Sequence, residues 1–98
     1  MKYKILFHPK AAREIEKLDN RVKLLVFKQI KKLSLTPLIG LQLGSKQGMD
    51  LSGYRKLYVD KKRIRVIYKF AEEKVVVQII AVGKRESLKV YKNAAKRI

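Results

Sequence analysis

The first part of the chain shows a short alternating segment followed by helical spacing. Apolar and polar residues alternate over residues 2–7, which predicts a strand. Pro9 then fits the first turn of a helix, because its φ angle is fixed and it lacks an N–H group. The apolar residues that follow lie three and four positions apart, and they are Ala11, Ala12, Ile15 and Leu18. This spacing predicts a short helix that ends near Asp19.

A second helix is predicted with Asn20 as its N-cap, since this residue type accepts a bond from an unpaired backbone N–H. Its apolar stripe consists of Val22, Leu25, Val26, Ile30 and Leu33. We expect it to end near Ser34, because Pro37 disfavours helical geometry at the preceding residue. The two short helices then form a helical hairpin. The glycine-containing residues 36–53 are predicted to be a long loop.

Three strands are predicted after this loop. Residues 54–59 are rich in aromatic and β-branched residues, and residues 63–70 alternate. Residues 74–82 contain runs of Val and Ile that are typical of a strand buried on both faces. Short turns at residues 60–62 and 71–73 make the three strands an antiparallel meander.

Helical spacing returns after Gly83. One side of this last helix is formed by Val90, Tyr91, Ala94, Ala95 and Ile98. The predicted order is β-α-α-β-β-β-α, and strands grouped late in the chain indicate the α+β class. We therefore expect residues 1–98 to form one small domain, in which the meander packs against the helical hairpin and a C-terminal helix follows.

The charge balance narrows the choice of partners. Lysine and arginine number 25 against 8 aspartate and glutamate, so the formal net charge is 25 − 8 = +17. Self-repulsion at this charge favours a polyanionic partner: nucleic acid, a ribosome, an anionic membrane or an acidic protein. The absence of cysteine and the single histidine exclude disulfides, thiolate sites and multi-histidine metal sites. No apolar run approaches the ~20 residues that span a bilayer. We expect a cytoplasmic protein with no cofactor, metal or membrane partner.

Basic residues are densest in residues 55–69 and 84–98, each of which holds a single carboxylate. The tyrosines interleaved with them are Tyr54, Tyr58, Tyr68 and Tyr91. A basic face that carries tyrosines offers phosphate contacts and platforms on which bases stack. The alternative is a solvated basic surface without a ligand.

Individual positions are candidates for chemistry, each with a structural alternative. Arg65 lies within an apolar strand, where it either binds a ligand or forms a structural ion pair. Lys84 and Arg85 follow the buried strand where the chain leaves the sheet, a common location for anion-binding groups; ordinary solvation is the alternative. Taken alone, Tyr91 favours a packing role and His8 a polar role at the start of a helix.

A series of motifs runs through the second half of the chain: SGYR at 52–55, RVIY at 65–68, KVVV at 74–77, VGKRE at 82–86, VY at 90–91 and AKRI at 95–98. Together with FHPKA at 7–11 and the helical hairpin, they resemble the RelE-type toxins of bacterial and archaeal toxin–antitoxin systems. The likeness covers nearly the whole chain. The N-terminal half is common to the RelE and ParE branches, whereas residues 65–98 point to the RelE branch.

The resemblance implies an mRNA interferase, an endoribonuclease that enters the ribosomal A site, cuts mRNA there and stops translation. In that chemistry a 2′-hydroxyl attacks the adjacent phosphorus without a metal, leaving a cyclic phosphate and a free 5′-hydroxyl. The implied partners are the ribosome, mRNA and a cognate acidic antitoxin similar to RelB. The alternatives are a ParE-like inhibitor of DNA gyrase and a non-catalytic module that binds ribosomes or nucleic acid through charge.

Matched residue by residue, the resemblance implies catalytic roles for Arg65, Arg85, Tyr91 and Arg55. Arg55 falls where some family members carry a catalytic lysine, and a second lysine of those members falls on Leu57. The remaining lysine candidates for the general acid are Lys56, Lys62 and Lys84. The basic residues expected to bind RNA are Lys56, Lys62, Arg63, Lys84 and Lys89.

Overall fold

The computed structural model describes residues 2–46, 48–84 and 89–97. Its elements in chain order are β1 (Lys4–Phe7), α1 (Pro9–Glu16), α2 (Asn20–Leu33), a 3-10 turn (Pro37–Ile39), β2 (Leu41–Lys46), β3 (Met49–Val59), β4 (Ile64–Ala71), β5 (Val76–Lys84) and α3 (Lys89–Lys96). The predictions on Arg85 and Ile98 lie outside the described residues. Over those ranges, no helix is long and apolar enough to cross a membrane.

The strands of the described residues form one sheet in the order β1-β5-β4-β3-β2. β1 runs parallel to β5, and the other neighbouring pairs are antiparallel. The α+β class, the helical hairpin, the late meander and the C-terminal helix are confirmed. The turn between β3 and β4 spans residues 60–63, one residue longer than predicted, and Asp60, Lys61 and Lys62 in it have positive φ angles. This turn fixes a register in which Tyr58 lies opposite Arg65.

Residues 36–53 are not the loop that their glycines predict. They contain the 3-10 turn, all of β2 and the first part of β3, so the sheet gains a strand. The ladder between β2 and β3 shifts register between Gln42 and Gly44, and Gly44 and Gly53 have φ angles of 104° and 85°. Glycine at such positions bends a strand while pairing continues on either side. The glycines therefore mark irregularities inside strands.

Both helices of the hairpin begin at a side chain that accepts a backbone hydrogen bond. His8 Nδ1 accepts from the Lys10 N–H at 3.1 Å, which confirms its polar role at the helix start. Asp19 Oδ1 accepts from the Val22 N–H at 2.9 Å. The prediction that Asn20 caps α2 is wrong, because Asp19 is the N-cap and Asn20 is the first helical residue. Aspartate and asparagine cap helices about equally well, so residue type did not separate these neighbours.

The sheet buries apolar residues on both of its faces. One face, here called the hairpin face, packs against α1 and α2 and includes Val66 and Tyr68. The other, here called the α3 face, packs against α3 and includes Ile67, Ala81 and Tyr91. Side chains of regular strand segments alternate between the two faces, and the alternation is interrupted where the ladder between β4 and β5 shifts register, so that Ile80 and Ala81 both lie on the α3 face.

Candidate functional site

Arg65 lies on the α3 face between two tyrosine rings. Its neighbours across the sheet are Tyr58 on β3 and Gly83 on β5. The guanidinium carbon lies 4.6 Å from the centroid of the Tyr91 ring and 5.9 Å from that of the Tyr58 ring. Tyr91 is only 4% exposed, so it packs in the apolar cluster as its helical position predicts while its ring contacts the cation.

The guanidinium of Arg65 has donors that the fold leaves unused. Its Nε and Nη1 atoms are buried and have no hydrogen-bond partner among the described residues. Within that part of the chain, the predicted alternative of an ion pair is not observed. An aromatic contact stabilises a cation by about 0.5–2 kcal/mol, whereas an unsatisfied buried donor costs about 1–3 kcal/mol and a charged one more. Binding an anion would complete these hydrogen bonds.

Three cations surround the ring of Tyr58. The Lys56 Nζ lies 5.1 Å from the ring centroid, the Lys62 Nζ 5.8 Å and the Arg65 guanidinium carbon 5.9 Å. The pKa of Tyr58 is lowered to about 8, chiefly by hydrogen bonding to the Lys56 ammonium, with a smaller contribution from Arg65 and despite partial desolvation. Cations stabilise the negatively charged phenolate. We call the group formed by Lys56, Tyr58, Lys62, Arg65 and Tyr91 the cationic tyrosine cluster.

The position of α3 brings Tyr91 onto Arg65. A Cβ atom on Gly83 would lie 3.2 Å from the Val90 Cβ, so the glycine allows the helix to approach the sheet closely. The Glu14 carboxylate accepts two bonds from Arg97, at 2.8 and 3.0 Å, and one from the Val82 N–H at 3.0 Å. This carboxylate therefore ties α3 to α1 and to β5.

The structure does not bring Arg55 to the cluster. Its Nη1 atom donates to the Gly40 carbonyl at 2.7 Å, and its guanidinium carbon lies 5.8 Å from the Phe70 ring centroid. Arg55 and Leu57 lie on the hairpin face, because alternate residues of a strand share a face. Lys56 and Tyr58, one position further along the chain than Arg55 and Leu57, contact each other and lie on the same face of β3 as Tyr54, which belongs to the α3 face.

Tyr58 is a functional candidate that sequence reasoning treated only as a stacking platform. The tight turn that follows β3 could have identified Tyr58 as a neighbour of Arg65, because a tight turn fixes which residues of its two strands lie opposite each other. Counting outward from the observed pair Val59 and Ile64 places Tyr58 opposite Arg65.

The other basic residues predicted to bind RNA line two grooves that contain no residue of the cluster. Arg63 and Lys84 line one groove, and Lys84 and Lys89 line a second groove beside the start of α3. Arg85, which follows Lys84 directly, lies outside the described residues. Among the residues that the structure describes, no group of three or more histidine, aspartate or glutamate side chains is placed to hold a metal ion.

Comparison with known proteins gives matches along nearly the whole chain. The ParE-like toxin family of type II bacterial toxin–antitoxin systems matches residues 5–94. The mRNA interferase toxin RelE of Escherichia coli is 33% identical over 98 residues, covering 100% of this chain and 99% of the relative.

Solved structures agree with this match. Free E. coli RelE with two arginine-to-alanine substitutions has a TM-score of 0.78 and 32% identity, covering 100% of this chain and 99% of the other. A chain of the intact E. coli RelBE toxin–antitoxin complex has a TM-score of 0.69 and 29% identity, covering 87% of this chain and 99% of the other. The resemblance to RelE-type toxins is confirmed. The chain belongs to the ParE-like toxin family of type II bacterial toxin–antitoxin systems.

Proposed function

We propose that the chain is an mRNA interferase, an endoribonuclease that cuts mRNA in the ribosomal A site and thereby stops translation. The observation that carries this proposal is Arg65, whose buried Nε and Nη1 atoms lack hydrogen-bond partners among the described residues while its guanidinium contacts the rings of Tyr58 and Tyr91. The full-length relative named mRNA interferase toxin RelE supports the substrate class. The net charge of +17 supports a polyanionic substrate.

The cationic tyrosine cluster fits a cleavage in which a 2′-hydroxyl attacks the adjacent phosphorus. The products of this reaction are a cyclic phosphate and a free 5′-hydroxyl. Negative charge on the phosphate oxygens increases in the transition state, and Arg65 would stabilise it through its charged guanidinium donors. The ring of Tyr91 keeps the guanidinium in place. Since cations of the chain supply the charge stabilisation, the proposed reaction is independent of a metal ion.

The remaining predicted residues divide into several roles. Arg85 is proposed as a further phosphate ligand, as the resemblance implies. Two of the three lysine candidates for the general acid, Lys56 and Lys62, lie in the cluster. Arg63, Lys84 and Lys89 are proposed to bind the RNA backbone on either side. Arg55 has no part in the proposed site.

The ribosome is part of the proposed substrate. An in-line attack needs the 2′-oxygen, the phosphorus and the leaving oxygen to be aligned. Holding the reacting atoms in this geometry raises the rate, because the entropy of aligning them is lost before the reaction begins. mRNA held in the A site would meet the cluster in a fixed conformation. We therefore expect much faster cleavage of ribosome-bound mRNA than of the same RNA free in solution.

The second proposed partner is an acidic antitoxin similar to RelB, acting with this chain in the cytoplasm. A solved complex of RelE with RelB is among the similar structures, and the positive charge of this chain favours an acidic partner. An antitoxin that covers Arg65 or displaces α3 would block the site.

The test is a reconstituted translation assay with ribosomes stalled on a defined mRNA. Primer extension would map the cut, and the chemistry of the new ends would be determined. We expect a cut within the A-site codon, a cyclic phosphate and a 5′-hydroxyl. Intact mRNA under conditions in which the chain binds ribosomes would overturn the proposal.

Inhibition of DNA gyrase is the second candidate function, which the ParE-like description of the matching family favours. A supercoiling assay with purified gyrase separates the two functions. Blocked supercoiling with intact mRNA would favour gyrase. If the chain neither cut mRNA nor blocked supercoiling, and its binding to ribosomes weakened steeply with salt, it would be a non-catalytic binding module.

A further inference from the structure

Tyr58 differs from the other tyrosines buried around the sheet. The hydroxyl of Tyr68 accepts a hydrogen bond from the Gly40 N–H and donates one to the Pro37 carbonyl, and burial raises its pKa. The hydroxyl of Tyr54 is buried without a hydrogen-bond partner among the described residues, and burial raises its pKa as well. Tyr58 is half-buried and lies directly opposite Arg65. It is therefore the tyrosine of this group that combines access to solvent with contact to the cluster.

The charged groups that contact the Tyr58 ring come from three parts of the fold. Lys56 lies two residues earlier on β3, Lys62 lies in the following turn, and Arg65 lies on β4. From α3, Tyr91 contacts the same guanidinium that Tyr58 contacts. All three charged groups are cations, so each favours the phenolate over the phenol.

The proposed reaction needs a group that removes a proton from the attacking hydroxyl. A general base works best when its pKa lies near the working pH, and the pKa of about 8 brings Tyr58 within that range. The single histidine of the chain is used elsewhere, because His8 accepts a hydrogen bond at the start of α1. The lysines of the cluster, Lys56 and Lys62, lie over the Tyr58 ring as its cationic neighbours.

We propose that Tyr58 is the general base of the cleavage reaction, its phenolate oxygen taking the proton of the attacking 2′-hydroxyl; this inference rests on the proposed mRNA interferase activity. The 2′-oxygen uses the electron pair released from its O–H bond to form a bond to phosphorus. The bond from phosphorus to the 5′-oxygen breaks, and its electron pair leaves with that oxygen. The Lys62 ammonium donates a proton to the departing oxygen. Transfer of the proton from Tyr58 to Lys62 through water restores both groups.

The experiment measures single-turnover cleavage of mRNA in stalled ribosomes across a range of pH. The variants are Tyr58→Phe, which removes the hydroxyl, and Tyr3→Phe, a matched control on the hairpin face whose ring packs edge-on against Phe70. We expect the Tyr58→Phe rate to fall about 100- to 10,000-fold, the usual range for a general acid or base. Ribosome binding and the rate of the control should not change.

The pH profile gives a readout that a structural role would not affect. For the unaltered chain the rate should rise with pH and level off above about 8, because the phenolate is the active form. Replacing Tyr58 with difluorotyrosine, which is more acidic and nearly the same size, should shift this inflection to lower pH. The replacement keeps the test valid even if Tyr58→Phe impairs folding.

The outcomes separate this inference from the proposed function. Cleavage by Tyr58→Phe at the unaltered rate, or an inflection that difluorotyrosine does not move, would overturn the role of Tyr58 and leave the interferase activity standing. No cleavage by the unaltered chain on ribosomes would overturn both.

Discussion

Arg55 and Arg65 lie on neighbouring strands of one sheet, but their guanidinium groups have different surroundings. On the hairpin face, Arg55 donates to the Gly40 carbonyl at 2.7 Å. On the α3 face, two buried nitrogen atoms of Arg65 have no acceptor among the described residues. An arginine that donates to a backbone carbonyl holds a segment of the chain in place. An arginine with unpaired buried donors still has hydrogen-bonding capacity for an anionic ligand. Hydrogen-bond satisfaction therefore separates Arg55, which holds the 3-10 turn, from Arg65, which is proposed to bind the phosphate.

The tyrosines of the same two faces show the same contrast. On the hairpin face, the Tyr68 hydroxyl donates to the Pro37 carbonyl at 2.7 Å and accepts from the Gly40 N–H at 2.8 Å. On the α3 face, Tyr58 is surrounded by cations, and its pKa is lowered to about 8. Tyr68 and Arg55 together fix the 3-10 turn against the sheet, whereas Tyr58 and Arg65 contact each other and leave groups available for chemistry.

Of the substitutions that distinguish the two faces of the sheet, Arg65→Ala should have the largest effect on the cleavage rate. Loss of one preorganised donor to a transition state typically lowers the rate about 100- to 1000-fold. The free energy of unfolding should change little, because the lost contacts with the rings of Tyr58 and Tyr91 are offset by removal of two buried donors that have no partner among the described residues. The matched control is Arg13→Ala, which removes the same charge from an exposed position on α1. If single-turnover cleavage of the two variants were equal, Arg65 would not belong to the site.

Arg55→Ala should show the reverse behaviour. The Gly40 carbonyl would lose a charged donor, and we expect the free energy of unfolding to fall by about 1–3 kcal/mol. Urea denaturation measures this loss. Cleavage per folded molecule should match that of the unaltered chain. A folded Arg55→Ala protein with cleavage as weak as that of Arg65→Ala would place Arg55 in the site and remove the contrast between the faces.

The periodic parts of the fold could be predicted from the sequence because burial on one face leaves a regular pattern. Residues 2–7, the hairpin helices and the late strands all carry such a pattern. Residues 36–53 do not, since Gly44 and Gly53 interrupt the alternation where the strands bend. β2 pairs with the strand that follows it, and Gly44 lies opposite Leu51, but the register shift between Gln42 and Gly44 breaks the two-residue period that would have indicated a strand.

The site could be predicted in part for a related reason. Arg65 stands out because a charged residue within an apolar strand is unusual, and Tyr91 was found through the motif that contains it. The predicted residue Arg55 and the neighbouring Leu57 lie on the hairpin face, whereas Lys56 and Tyr58, each one position further on, belong to the cluster. In a strand, a displacement of one residue moves a side chain to the opposite face. Tyr58 therefore becomes visible only when the register of β3 and β4 is known.

Glu14→Gln should moderately lower both the free energy of unfolding and the cleavage rate, because this carboxylate joins α1 to α3. The amide keeps the shape but loses the charge that binds Arg97, and we expect a loss of about 1–2 kcal/mol in the free energy of unfolding. Cleavage should also decrease, since α3 carries Tyr91. Glu16→Gln on the exposed side of α1 is the control, and it should change neither quantity. A normal cleavage rate with reduced stability would show that α3 holds Tyr91 in place without Glu14.

Tyr91→Phe should have the smallest effect on the cleavage rate. The contact with Arg65 is made by the face of the ring, so removing the hydroxyl should leave cleavage within about threefold of the unaltered rate. Tyr91→Leu keeps an apolar side chain but removes the aromatic face, and we expect about a tenfold decrease, in line with the loss of one cation–π contact. Both variants would be measured in the single-turnover assay. If phenylalanine lowered the rate as much as leucine does, the hydroxyl itself would take part in the reaction. Tyr91 would then be a second proton-transfer group beside Tyr58, and the α3 face would hold two tyrosines that act through their oxygens.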